Sequence, residues 1–241
     1  LCLWSKGLLL PLIGHCGIGC LLYLRQLFGP GLCYPFVGSG NSMQLTSLYL
    51  ASTSPRRREL LKQIGVQLTT LPVGVNETPL LNESAQAYVQ RLSQAKAAAG
   101  WSRVVADQLS LMPVLGSDTS VVLEGAILGK PESKSQCVET LMSLSGRTHQ
   151  VMTAVTLQLA EKRATQLSVT DVTFRVLSEE DALRYWNTGE PLDKAGGYGI
   201  QGFGAVFVQS IAGSYSGVVG LPIEKTVVLL NQFNVPFWQN S

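Results

Sequence analysis

From Met43 onward, apolar positions along the chain switch between the period of a strand and the period of a helix. Ser47–Ala51 (SLYLA) predicts a short strand. The stretch after it, STSPRRRELLKQIG, predicts a helix with Ser54 at the N-cap, Pro55 at the first helical position and Gly65 closing it. Val66–Val73 predicts a second strand. Glu83–Ala99 predicts a long helix ending at Gly100, with an apolar stripe at Ala85, Val89, Leu92 and Ala99, and Trp101–Leu111 reads as a polar connector. Pro113–Gly116 and Val121–Leu123 are apolar runs on either side of the polar SDTS, so the first reads as a strand ending there; the turn Glu124-Gly125 follows, then AILGKP. Ser133–Leu144 predicts a helix ended by Gly146. Val151–Leu159 and Gln166–Val176 are β-branched runs joined by the turn EKR, which signals a hairpin within one chain or across a dimer. Glu179–Trp186 predicts a helix capped by Ser178. The glycine-rich AGGYGIQGFG precedes a run at Ala205–Ile211, Ser214–Val219 predicts a further strand, and Pro222–Phe233 a closing helix. With strands and helices interleaved and no internal repeat, residues 43–238 read as one α/β domain with a mixed sheet.

Residues 1–42 break this pattern. Gly7–Leu24 is uncharged over 18 residues between Lys6 and Arg25, long enough to just span a bilayer or serve as a signal core. It also holds Pro11, His15 and four glycines, and no clean cleavage site follows. Phe28–Ser42 is rich in glycine and proline and reads as linker. Charge and cysteine use change at the same point. Of 18 basic residues two fall in this stretch and no acid does, leaving 16 against 16 acidic residues in the rest, which is formally neutral. Four of five cysteines lie before residue 43. The expectation is therefore that the natural protein starts at Met43, that residues 1–42 stand outside the fold, and that a membrane enters only if 7–24 is a genuine segment.

With 46% hydrophobic and 14% charged residues the chain is neither disordered nor a coiled coil. A neutral body gives no bulk field for a nucleic acid, although a local pocket for a small anion stays open. Cys137 alone cannot build a disulfide framework, which reads as a cytoplasmic setting. Two histidines exclude a His-rich zinc site, so any metal would be hard, oxygen-ligated and shared with a substrate.

Four places carry more polar chemistry than a fold requires. In Ser52-Thr53-Ser54-Pro55-Arg56-Arg57-Arg58, arginines crowd a helix start, where the dipole disfavours them unless an anion is bound; a solvated basic helix start is the plain alternative. Lys96 falls on the stripe 85–89–92–96–99, so it either snorkels at the stripe's edge or points its amine into a cleft. Asp118, in Gly116-Ser117-Asp118-Thr119, stands where ligands gather in open α/β sheets, as a metal ligand, a general base or merely a turn former, and Lys130 follows the next hairpin. In Pro191–Gly202 the glycines at 196, 197, 199 and 202 permit close backbone approach to a ligand, or simply a glycine-rich turn, and Gln201 offers both a donor and an acceptor. The spacing is not that of a dinucleotide-binding turn.

Taken in order, LASTSPRRRELL, GSDT, GKP, SGRTHQVMTAV and LDKAGGYGIQG resemble the Maf family of nucleoside triphosphate pyrophosphatases, from about Leu48 to Phe233. The resemblance implies a single Maf-like (ITPase-like) domain, with a mixed, twisted sheet flanked by helices and a deep substrate cleft, often as a homodimer. It implies hydrolysis of a nucleoside triphosphate to monophosphate and pyrophosphate with a divalent cation, Mg²⁺ or Mn²⁺. Carried onto this sequence, Asp118 matches the proton acceptor, and Ser52 and Arg57 the phosphate-facing loop. Glu77, Lys96 and Lys130 match residues lining the cleft, Lys96 and Lys130 toward phosphate and Glu77 with Asp118 toward the metal. Arg56, Thr119 and Gln201 match positions of base choice. SPRR, Asp-Thr and Ile-Gln-Gly resemble the branch cleaving dTTP and UTP rather than the one acting on 7-methyl-GTP. A different class, a nucleotide-binding regulator of septum formation with little catalysis, would not need an acid at 118.

Overall fold

In the computed structural model, which describes residues 46–239, strand β1 (Leu48–Leu50) comes first and is fully buried. Helix α1 (Pro55–Gln63), strand β2 (Leu68–Thr70), helix α2 (Ala85–Ala106), strand β3 (Val114–Leu123) and strand β4 (Ala126–Leu128) follow. Next come helix α3 (Lys134–Leu144), strands β5 (Thr148–Leu159) and β6 (Lys162–Phe174), and helix α4 (Glu179–Trp186). Short 3₁₀ turns between Glu190 and Phe207 lead to strand β7 (Val208–Ala212), and helices α5 (Tyr215–Val219) and α6 (Ile223–Gln232) close the fold. The sheet runs β2-β1-β3-β5-β6-β7, with β4 also on β3. Pairing is parallel among β2, β1 and β3 and antiparallel elsewhere, so the expected mixed α/β sheet is borne out. The expectations about residues 1–42, and with them the domain's starting boundary, lie outside the described residues. No helix of the described residues is long and apolar enough to cross a membrane.

The topology leaves one opening. β5 covers one edge of β3 from Val114 to Val122. On the other edge β1 pairs only with Val114 and Leu115, and β4 only with Val121 to Leu123. Among the described residues, residues 116–120 of β3 thus have no sheet partner on that side. Alternation sends Ser117 and Thr119 to one face, between two apolar clusters: Leu115 belongs to the cluster built with α1 and α6, and Val121 to the one built with α3 and α4. Gly116, Asp118 and Ser120 face α2.

Several elements differ from the sequence expectations. The segment SDTS is not a strand end. It continues β3, because β5 and α2 enclose it and Ser117 and Ser120 are buried with partners or backbone pairing that polar side chains tolerate. Helix α2 does not stop at Gly100 but runs to Ala106, so half of the expected connector is helical. Gly100 is a crossing point rather than a stop: a Cβ there would lie 2.6 Å from Val114 Cγ1. Ser214–Val219 is a helical turn, not a strand, with Ser214 Oγ accepting from Gly217 N at 3.1 Å. The hairpin pairs within the chain, and Lys162 and Arg163 lie in β6 opposite Leu159 and Gln158 rather than in the turn. Ser54 holds the N-cap position of α1, but its side chain makes no capping bond.

The closest approach of helix to sheet is at Gly116. A Cβ there would meet Ser93 O at 2.4 Å and Ala97 N at 2.6 Å, backbone atoms of α2 that cannot turn aside. Gly116→Ala is expected to destabilise the protein by about 3 kcal/mol, the cost of overpacking a rigid contact, as read from urea unfolding. It should also lower kcat/KM about 10²-fold, because it pushes away the turn that carries Lys96.

Candidate active site

Lys96 lies one helical position before Ala97, on the α2 turn seated against Gly116, and this directs its side chain across β3 to Asp118. Lys96 Nζ stands 2.7 Å from Asp118 Oδ1 and 2.7 Å from Glu77 Oε1. The side chains of Lys96 and Asp118 keep only 13% and 10% of their surface exposed, whereas Glu77 keeps 50%. The lysine therefore does not snorkel; its amine bridges two carboxylates at the mouth of the opening beside β3.

Glu77 reaches this place on an irregular strap between β2 and α2. The strap is tied to the helix by Tyr88, whose hydroxyl donates to Glu77 O at 2.8 Å, and by Arg91, which bonds Glu83 Oε1 at 2.6 Å and Thr78 O at 3.1 Å. Sequence reasoning singled out neither Tyr88 nor Arg91, because they belong to the strap's support and not to its chemistry. The signal for them was a polar and aromatic edge flanking the apolar stripe at the start of α2.

Arg57 enters from the first turn of α1. Its Nε donates to Gly220 O at 2.9 Å, Nη1 to Ser52 Oγ at 3.2 Å and Nη2 to Thr119 Oγ1 at 3.2 Å. Gly220 O also accepts from Ser117 Oγ at 3.2 Å, and Thr119 Oγ1 lies 3.0 Å from Thr153 Oγ1. Gly220, Ser117 and Thr153 were not foreseen; they come from three elements that only the fold brings together. Three of the five guanidinium donors are spent on these partners, which leaves two. Ser52 Oγ accepts from both Arg57 and Ser54 N (3.1 Å), so its own proton is uncommitted. The acceptors here are consumed internally and donors are left over, which is the pattern that receives an anion.

The two carboxyls titrate in opposite directions. Burial pushes Asp118 above the usual carboxylate range, and the neighbouring Lys96 and Arg57 only partly offset this. For Glu77 burial also opposes ionisation, but the Lys96 ammonium wins, helped by Lys130 and Arg57, and holds it below its ordinary value. Arg57 is pulled down by burial, against the attraction of Asp118 and Glu77. A carboxyl made more basic beside one held ionised divides the roles of base and anionic ligand.

The fit to a divalent cation can be judged from the donors. Glu77 and Asp118 each spend one oxygen on Lys96, and their second oxygens accept no hydrogen bond among the described residues. Hard oxygen donors of this kind suit Mg²⁺ or Mn²⁺. No group of three acidic, histidine or cysteine side chains among the described residues forms a complete cage, so such an ion would share its ligands with phosphate and water.

The structure thus brings together two bonded sets, Ser52, Arg57 and Thr119 in one and Glu77, Lys96 and Asp118 in the other, with Arg57 near enough to act on the charge of both carboxyls. Lys130 is exposed and near enough to act on the charge of Glu77. Arg56 points elsewhere, toward the glycine-rich segment: a Cβ on Gly199 would lie 3.2 Å from its Nη2. Gln201 is exposed, and its side chain makes no hydrogen bond among the described residues. The glycines of that segment pack internally rather than opening a path for a ligand. A Cβ on Gly196 would meet Val121 at 2.8 Å, and one on Gly202 would meet Glu190 Oε2 at 2.1 Å.

Comparison with known proteins follows this geometry. Residues 47–233 match the family model described as Maf-like protein. The chain is 56% identical over 193 residues to a dTTP/UTP pyrophosphatase of Saccharophagus degradans, covering 80% of this chain and 91% of that protein. It is 52% identical over 190 residues to proteins of the same name in Shigella sonnei and Escherichia coli O157:H7, covering 79% of this chain and 94% of each. Among solved structures, the Ham1 protein of Staphylococcus aureus superposes with a TM-score of 0.45 at 14% identity, over 78% of this chain and 97% of that one. On the match across its α/β body and on these relatives, the chain belongs to the Maf-like protein family.

Proposed function

We propose that this protein hydrolyses dTTP and UTP to the nucleoside monophosphate and pyrophosphate. The observation that carries the reading is the Lys96 ammonium held 2.7 Å from both the Glu77 and Asp118 carboxylates, beside a helix start whose Arg57 and Ser52 keep donors to spare. The names of the relatives supply the substrate class.

In the proposed reaction a water oxygen forms a bond to the α-phosphorus as the bond from that phosphorus to the β-bridging oxygen breaks. The water proton passes to Asp118, whose burial makes it a stronger base than an exposed aspartate. Lys96 keeps Asp118 oriented and offsets its charge. Arg57, Ser52 and Lys130 receive the triphosphate oxygens and the negative charge that grows on the departing pyrophosphate. Glu77 and Asp118 would hold a Mg²⁺ or Mn²⁺ ion, which supplies further neutralisation of phosphate charge when bound. Arg56, Thr119 and Gln201 are assigned to the base, and the protein to the cytoplasm, as a homodimer.

The test is pyrophosphate release by the purified chain on dTTP, UTP, CTP, GTP, ATP and 7-methyl-GTP. Turnover concentrated on dTTP and UTP, abolished by EDTA and restored by excess Mg²⁺ or Mn²⁺, is the expected result. Binding of dTTP without turnover of any triphosphate would sink the enzymatic reading. Turnover that survives exhaustive chelation would remove the metal from it.

A further inference from the structure

Gln201 is exposed and its side chain makes no hydrogen bond among the described residues, so the backbone from Gly199 to Gly204 sets the point from which its amide reaches out. That backbone converges on one carboxylate. Glu190 Oε2 accepts from Phe203 N at 2.8 Å, and Oε1 accepts from Gly204 N at 3.2 Å and from the Tyr185 hydroxyl at 2.8 Å. The same Tyr185 oxygen accepts from Gly199 N at 3.0 Å. Residues on both sides of Gln201 therefore hang from the Glu190–Tyr185 pair, and Gly202 N bonding Gly199 O at 3.3 Å closes the turn between them.

The absence of side chains at 199, 202 and 204 is what lets the turn wrap this pair. A Cβ would lie 2.8 Å from Glu190 Oε1 at Gly199, 2.1 Å from Glu190 Oε2 at Gly202, and 2.8 Å from the Tyr185 hydroxyl at Gly204. Upstream the chain is fixed independently, since Tyr198 is buried with its hydroxyl 2.8 Å from His149 Nε2. Tyr185 is pinned by edge-on packing against Phe207, with ring centroids 4.9 Å apart. Hydrogen bonds to an ionised carboxylate are stronger and more directional than neutral ones, so the clamp is stiff.

We infer that Glu190 is a positioning residue for base discrimination: it touches no substrate, and acts by fixing the turn that carries Gln201 and whose Gly199 lies beside Arg56. The inference rests on the proposed role of Gln201 in reading the base. A glutamine at 190 has one acceptor oxygen and an amide that cannot accept, so it cannot serve Phe203 N and the Gly204–Tyr185 side together. Tyr185→Phe keeps the ring and its packing but removes the oxygen shared by Gly199 N and Glu190.

The experiment measures kcat and KM on UTP and CTP, which differ only at the edge a glutamine amide can read, for wild type, Glu190→Gln, Tyr185→Phe and Gln201→Ala. The UTP-over-CTP ratio of kcat/KM is expected to fall about tenfold in Glu190→Gln, chiefly through KM for UTP, and toward the value of Gln201→Ala. Tyr185→Phe should fall in the same direction by a smaller factor. A folded Glu190→Gln and Tyr185→Phe that keep the wild-type ratio, whether or not both rates drop together, would overturn the inference and leave the functional reading standing. Should Glu190→Gln fail to fold by circular dichroism, Tyr185→Phe decides by the same criterion. A wild-type ratio unchanged in Gln201→Ala, or a wild type inert on every triphosphate, would overturn it together with the reading it rests on.

Discussion

Asp118→Asn is expected to lower kcat on dTTP about 10²- to 10⁴-fold, the range a positioned general base contributes, with KM changed by less than about threefold. The amide oxygen can still receive Lys96 Nζ, now 2.7 Å from Oδ1, so the site keeps its shape while losing the ability to take a proton and one negative charge. The same variant should be more stable than wild type at neutral pH. Burial places the carboxyl's pKa above its ordinary value, so the folded state holds that proton more tightly than the unfolded chain does. The stability due to this difference is present at low pH and is lost as pH rises from the unfolded pKa through the folded one. Wild type loses it progressively above the unfolded pKa, whereas asparagine is neutral throughout. Thermal unfolding at neutral pH and again in mild acid, beside single-turnover kinetics, checks both halves. The Tm advantage should shrink toward zero in acid. An asparagine variant that is slow because it has unfolded, or that is less stable at neutral pH, would remove Asp118 from the role of a buried base.

Lys96→Gln carries the second large effect. Among the described residues the amine is the single cation in contact with both Glu77 and Asp118. Without it two carboxylates face each other across a half-closed space, and a loss in kcat/KM of about 10²-fold is expected from the missing electrostatic support. Removing one partner of a pair this little exposed should also cost about 3 kcal/mol of stability. The pH dependence gives the sharper sign. Lys96 lowers the pKa of both acids, so its loss lets both rise. More alkali is then needed to ionise the base, and the acid limb of the kcat/KM profile should move to higher pH. A variant whose profile keeps its wild-type limb while the rate falls would show that Lys96 serves the triphosphate alone and does not tune Asp118.

The two effects together explain why the polar centre is arranged as it is. Asp118 is useful because it is buried and basic, and Lys96 partly offsets the rise in its pKa that burial causes. Arg57 takes no part in this balance by direct contact. Its bonds to Ser52, Thr119 and Gly220 instead lock the start of α1 to β3 and α5, and leave two N–H donors without a partner among the described residues.

Much of this was legible in the residues. The order of strands and helices from β1 to α4, Pro55 opening α1, the hairpin of β5 and β6, and the segments bearing Ser52, Arg57, Lys96, Asp118 and Lys130 follow from local pattern, because caps, turns and periodicity act over a few residues. Lys96 illustrates the limit. Its place on an apolar stripe showed that it was unusual, and could not say whether its amine would reach water or a carboxylate. Tertiary structure decided that, because Gly116 admits the backbone of α2 to within a contact no other residue allows, and so sets the lysine over Asp118. The same burial turned SDTS from an expected strand end into the middle of β3, since the polar residues found partners across β5 and at Gly220 rather than in solvent. The glycine-rich segment was legible as a special backbone but not as a clamp. Its carboxylate partner, Glu190, lies 13 residues from Phe203, and its ring partner, Tyr185, lies 14 from Gly199, so no local period joins them. Sequence by itself determined which chemical groups the protein owns and which elements carry them. Only the fold decided which of those groups share one low-dielectric space, because burial and charge act through distance in space and not along the chain.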